Sequence, residues 1–274
     1  MKKTGFILMI AVLMLAGCSS GKAANTPTAL PLVGELTFAG STTIQPLAGD
    51  LGNVFQQEHP LVKLDIAGGG SKVGIQAIHD GTVDIGMASR DLTADETKGI
   101  NTYTIALDVI ALIVHPGNSI EDLKLADLAA IYNGSITNWS QVGGPDLEIL
   151  PVVREASSGT RGAFNELVLG NMEPAATNLL TAVTAGDVAA DVAHTPGAIG
   201  YVGFGNLDKT VKLISINGIV AAKATTSSHQ YPLVRSLNLM TGPLSQPLAM
   251  DFINFVLSAE GQGIIENAGW VAVK

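Results

Sequence analysis

The residues able to do chemistry in this chain are gathered in a few short turns rich in hydroxyls, glycine and arginine. The densest is Arg154-Glu155-Ala156-Ser157-Ser158-Gly159-Thr160-Arg161. Val152 and Val153 before it signal a strand. Ala163, Phe164, Leu167 and Val168 after it recur at helical spacing. The segment therefore reads as strand, tight turn, helix. Ser157 or Ser158 suits the N-cap, where a side-chain oxygen accepts from the free amides of the first turn. Those amides, two hydroxyls and the positive end of the helix dipole converge on one spot. Arg154 and Arg161 stand on either side. Such a spot suits a small anion. An ordinary capped helix with solvated arginines has the same pattern, so the other turns must weigh in.

Three more strand ends carry similar residues. Ser41-Thr42-Thr43 follows the alternating stretch Leu36–Gly40 and leads into a helix whose apolar face is Ile44, Leu47, Leu51, Val54 and Phe55. Gly68-Gly69-Gly70-Ser71-Lys72 follows a strand over 61–67 and opens a short helix to His79. Successive glycines let backbone amides approach a ligand. Ser89-Arg90-Asp91 ends a strand over 83–88, and Thr93 with Glu96 three residues on predicts a capping box and another helix. The glycine cluster lacks the Gly-Lys-Ser/Thr ending of a phosphate-binding P-loop and has no convincing dinucleotide context. Ser158 as a nucleophile would need a base or metal within reach. The five histidines are scattered without metal-ligand spacing, so neither a catalytic centre, a metal nor a cofactor is expected. Asp84 reads as structural, Lys72 as solvated, and Trp139 and Trp270 as packing residues.

The elements that must position these turns alternate between strand and helix. That implies an α/β fold with largely parallel sheets, in which ligands sit beyond the carboxyl ends of strands. Tyr103–Val114 is an apolar strand long enough to pass between two lobes, and Leu233–Met240 is a candidate return crossing. Helices are expected over 123–132, 178–193 and 248–257, and strands over 197–203 and 211–216.

Composition narrows the function. Of 274 residues, 47% are hydrophobic and 14% charged, and the net charge is −9. An acidic surface argues against nucleic acid, and it requires an anion site to work through local hydrogen bonds. At the N-terminus, Lys2 and Lys3 precede an apolar run from Phe6 to Ala16 and then Leu15-Ala16-Gly17-Cys18. This reads as a signal peptide over 1–17, its apolar run too short to span a bilayer, with a lipobox that predicts lipidation of Cys18. Cleavage there removes two lysines and no acid, leaving −11. Cys18 is the sole cysteine, which excludes a disulfide framework. Residues 18–32 read as a flexible tether.

Taken in order, these motifs resemble the substrate-binding lipoproteins of the bacterial ABC-type phosphate transporter, over about Gly34 to Val273. The specific pieces are Gly40–Pro46, Gly70–Gly74, Val83–Arg90 and Arg154–Arg161. Weaker ones are Ile136–Trp139, Gly197–Tyr201 and Phe255–Gln262. The resemblance implies a periplasmic-binding-protein type II fold of two α/β lobes joined by two crossing strands: lobe one over 33–110 plus 233–274, lobe two over 111–232. It implies a non-enzymatic, monomeric receptor held outside the cytoplasm by lipid on Cys18. That receptor would take inorganic phosphate in the cleft and pass it to an ABC permease. Phosphate would be held by Ser41, Thr42, Thr43, Ser71, Ser89, Arg90, Arg154, Ser157, Ser158, Gly159, Thr160 and Arg161. Sulfate, molybdate or tungstate is the alternative ligand, and a phosphate sensor or phosphohydrolase a remoter function. In well-known members of the family a carboxylate near the third strand end accepts the proton of hydrogen phosphate, while a branch of the family shares the Ser-Arg form found here. Here Ser89-Arg90-Asp91 occupies that place, which leaves Asp91, Glu155 or a serine oxygen for the role.

Overall fold

The computed structural model describes residues 31–273. The predicted signal peptide, Cys18 and the tether up to residue 30 lie outside them. The elements in chain order are β1 (Gly34–Gly40), α1 (Gln45–Glu58), β2 (Val62–Gly69), α2 (Ser71–His79), β3 (Ile85–Ala88), β4 (Asn101–Val114), β5 (Asp122–Leu123), α3 (Leu125–Tyr132), β6 (Leu150–Arg154) and α4 (Gly159–Leu169). They continue as β7 (Leu180–Ala182), α5 (Ala185–His194), β8 (Ala198–Gly203), β9 (Lys212–Ile216), α6 (Lys223–Ser227), β10 (Val234–Thr241), α7 (Pro247–Val256), α8 (Ala259–Asn267) and β11 (Val271–Ala272).

The strand order β2-β1-β3-β10-β4-β8-β6-β7 is mixed. β2, β1 and β3 run parallel, as do β8, β6 and β7, and β4 and β10 join the two groups through antiparallel pairings. Parallel strands need crossover helices, which the intervening helical segments supply.

β4 explains how two groups become one fold. Its first part pairs with β10 from Asn101↔Thr241 to Val109↔Val234, and its last five residues pair with β8. The core changes along it. Ile105 and Ala106 pack with Leu36, Phe38, Phe55, Leu237 and Phe252, whereas Val109 to Leu112 pack with Leu128, Tyr132, Trp139, Phe164 and Leu233. β10 changes core in the same place, between Leu233 and Leu237. Asp108 and Arg235 face each other in register at that change.

Two expected helices are corrected. The stretch 178–193 divides: Leu180–Ala182 pairs with β6 as β7, and α5 begins only after Thr184, which forms a capping box with Asp187. The capping box of Thr93 and Glu96 forms its bonds, Thr93 N to Glu96 Oε2 at 2.9 Å and Glu96 N to Thr93 Oγ1 at 3.3 Å. It initiates only a turn. Gly99, at φ +69°, adopts the left-handed conformation that ends a helix, and β4 starts two residues later.

Candidate functional site

Four turns from distant parts of the chain meet at the seam between the two strand groups. After β1, Ser41 Oγ accepts the amides of Thr43 at 3.2 Å and Ile44 at 3.4 Å, shaping the entry to α1. After β2, Gly69 and Gly70 lie at φ +113° and +93°, conformations that glycine alone adopts readily. A Cβ on Gly70 would come 2.4 Å from Ser157 Oγ, so this turn is bare because the second group presses on it. Lys72 N donates to Ser157 O at 3.0 Å, and Ser157 Oγ donates to Gly69 O at 2.9 Å or to Glu155 Oε1 at 2.7 Å. After β3, Ser89 N donates to Ser71 Oγ at 3.0 Å, and the two hydroxyls are 3.4 Å apart.

The fourth turn follows β6. Ser158 is the N-cap of α4, its Oγ accepting Arg161 N at 3.3 Å; Ser157 is therefore a bridging residue, not the cap. The amides of Gly159 and Thr160, in the first turn, have no acceptor within the helix. A Cβ on Gly159 would stand 2.0 Å from Ser71 Oγ and 2.8 Å from Ser89 Oγ. The positive end of α4 thus abuts the Ser71–Ser89 pair, and Ser71 itself opens α2. Thr43 Oγ1 and Thr160 Oγ1 meet across the seam at 3.0 Å.

The four arginines differ sharply. Arg154 is 2% exposed. Its Nε donates to Ala182 O at 3.3 Å, and its Nη2 to Val183 O at 2.8 Å and Thr42 Oγ1 at 3.1 Å. No carboxylate pairs with it, and its Nη1 has no protein acceptor among the described residues. Burial holds this guanidinium below its usual range. Behind it, Tyr201 Oη accepts Arg154 N at 3.4 Å, and its ring stacks on Phe164 of α4 at 4.1 Å. The turn and the arginine are therefore fixed to one aromatic wall.

Arg90 and Arg161, both expected at the site, are turned elsewhere. Arg90 makes a bidentate pair with Glu96, at 2.7 Å from each nitrogen, and also donates to Asp91 O at 2.8 Å. Only its stem lies against α4, where a Cβ on Gly162 would be 3.0 Å from Arg90 Cδ. That pairing draws the Glu96 carboxyl down to about 2. Arg161 donates to Glu173 Oε2 at 2.6 and 3.0 Å and to Arg154 O at 2.7 Å. Both arginines already have carboxylate partners. Thr42, Thr43, Ser71, Ser89, Arg154, Ser157, Ser158, Gly159 and Thr160 are brought together; Ser41 shapes the backbone beside them.

The fourth arginine was not anticipated. Arg235 is 5% exposed and its partner Asp108 1%. Nε and Nη2 donate to Asp108 Oδ2 at 3.0 and 2.7 Å, while Nη1 donates to Ser89 O at 3.0 Å and Thr160 Oγ1 at 2.7 Å. Phe204 N completes the set by donating to Asp108 Oδ1 at 2.9 Å. Burial pushes the Asp108 carboxyl up, and the guanidinium pulls it back. The available signal was one acid in Thr104-Ile105-Ala106-Leu107-Asp108-Val109-Ile110 and one base in Leu233-Val234-Arg235-Ser236-Leu237. Opposite charges inside two apolar strands need each other.

Comparison with known proteins places the chain in a family. A family model described as the PBP superfamily domain matches residues 25–260. The phosphate-binding protein PstS of Bacillus subtilis is 31% identical over the whole chain and 95% of its own length. That of Borreliella burgdorferi is 30% identical over 87% of this chain and 90% of its own. The chain belongs to the PstS family. Among solved structures, a Clostridium perfringens substrate-binding protein of the phosphate ABC transporter type, with phosphate bound, superposes with a TM-score of 0.86. It is 34% identical and covers 88% of this chain and all of its own. A phosphate transport receptor from Vibrio cholerae gives 0.74 at 32% identity, covering 86% and 99%. The expected α/β fold of the periplasmic-binding-protein type is the fold found, with a mixed sheet in place of a largely parallel one. The described residues contain no helix long and apolar enough to cross a membrane.

Proposed function

We propose that this protein captures inorganic phosphate in the seam between its two strand groups and delivers it to an ABC-type importer, without chemical turnover. The observation that carries the reading is Arg154: a buried cation with no carboxylate partner, reaching from the end of β6 to Thr42 Oγ1 in the turn after β1. A buried charge left unpaired is costly, and an oxyanion supplies the missing partner through short charge-assisted hydrogen bonds. Thr42, Thr43, Ser71, Ser89, Ser158 and Thr160 would contribute hydroxyls, and Gly159 and Thr160 amides. Arg90 and Arg161 would brace the flanking loops through Glu96 and Glu173.

Residues 33–110 with 233–274 would form one lobe and 111–232 the other, closing on the ligand. The change of core along β4 and β10 supports that division. Cleavage after Gly17 and lipidation of Cys18 would hold the monomer on the outer face of the cell membrane, beside its permease. The test is a calorimetric titration of the purified protein with inorganic phosphate, then with sulfate as competitor. Saturable one-to-one heat with no product formed is expected; no heat with phosphate discards the proposal. Sulfate is the informative competitor, because the hydroxyls of Ser71, Ser89 and Thr160 have no carboxylate among their hydrogen-bond partners.

A further inference from the structure

We infer that Arg235, held by Asp108, is a positioning residue that fixes the Thr160 hydroxyl as a hydrogen-bond donor toward the bound anion. This rests on the phosphate reading above. A guanidinium donates and never accepts, so Thr160 Oγ1 must accept the 2.7 Å bond from Arg235 Nη1. A hydroxyl has one hydrogen. With that lone pair occupied, the hydrogen is directed away from Arg235, on the side of the oxygen where Thr43 Oγ1 lies 3.0 Å off. Without Arg235 the hydroxyl gains a further lone pair and is free to rotate, and a lone pair turned toward the anion repels it.

Arg235 suits this role because its charge is already balanced. Asp108 takes two of its donors and is itself fixed by Phe204 N. The pair is nearly solvent-free and sits on the two strands that change core. The same Nη1 also donates to Ser89 O. One nitrogen thus references Ser89 from one side of the seam and Thr160 from the other. Arg154 and Arg235 therefore divide the work: the first supplies charge, the second supplies orientation.

The experiment is a phosphate titration of the mature protein and of a set of variants, with thermal unfolding in the absence of phosphate as the folding control. Asp108→Asn with Arg235→Met removes the donor and leaves no unpaired buried charge. Its affinity should fall about tenfold or more, the scale of one hydrogen bond to a charged partner. In a Thr160→Val background, which has no hydroxyl to orient, the same pair should cost less than about twofold further. In a Thr160→Ser background, which keeps the hydroxyl, the tenfold loss should return. Parent-like affinity for the double variant, or an undiminished loss in the Thr160→Val background, overturns the assignment while the phosphate reading stands. A parent protein that binds no phosphate overturns both.

Discussion

Two arginines lie at equal depth in this protein, and their surroundings differ in one respect. Around Arg235, on the crossing strands, every charge has its opposite. Around Arg154, at the end of β6, carbonyls and a threonine hydroxyl surround a cation with no acid in contact. The first environment is complete as the chain folds. The second would be completed by the anion proposed for it. A neutralised buried pair is a structural device, and an unneutralised buried charge is a binding one.

The sharpest way to break this comparison is to remove each arginine alone. Arg235→Met leaves Asp108 buried and unpaired, and should cost about 3–5 kcal/mol of stability in denaturant unfolding without phosphate. Arg154→Met relieves an uncompensated charge while losing three neutral acceptors, and should cost less than about 2 kcal/mol in the same measurement. Equal losses would mean that the two environments are not different in kind. Phosphate binding should rank them in another way. Arg154→Met should lose about 1.5–3 kcal/mol of binding free energy in calorimetry, the strength of hydrogen bonds to a charged group.

Gly159→Ala tests the seam itself. The new methyl would stand 2.0 Å from Ser71 Oγ, so the two groups must part, and affinity should fall by about 1–3 kcal/mol. Stability without phosphate should fall too, because the same methyl crowds Ser71 in the unliganded protein; unchanged affinity would mean that the seam does not hold the anion. The smallest effect is expected at Glu96. Its folded carboxyl lies at about 2 against a usual 4.5. A depressed value means that its contribution is present above about pH 4.5 and is lost as the pH falls toward 2. Glu96→Gln should flatten acid unfolding in that window and leave phosphate affinity near neutral pH unchanged.

The strand-turn-helix units were legible in the sequence because each is local. Periodicity marks the strand and helix, hydroxyls and glycines mark the turn, and Ser158 occupies the cap position that the pattern allowed. The paired β7 was not legible. Leu180-Thr181-Ala182 is helix-compatible in isolation, and only hydrogen bonding to β6 makes it a strand. Thr93 and Glu96 misled for the opposite reason: the local motif forms as written, but Gly99 stops it after a turn and Arg90 claims the same carboxylate. Arg90 and Arg161 were placed at the site by proximity in sequence, whereas their acids, Glu96 and Glu173, decide where they point. Asp108 and Arg235, 127 residues apart, are adjacent only because two strands cross. No window of sequence contains both.

The two bare α-carbons at the seam, Gly70 against Ser157 and Gly159 against Ser71, have one more consequence. With less than a methyl group of clearance on either side, the enclosure is a gauge of girth. A naked tetrahedral oxyanion is the ligand proposed for that place. The same headgroup esterified to a sugar or an alcohol carries a tail that has no exit once the halves meet, so organic phosphates should be refused by shape before charge is consulted.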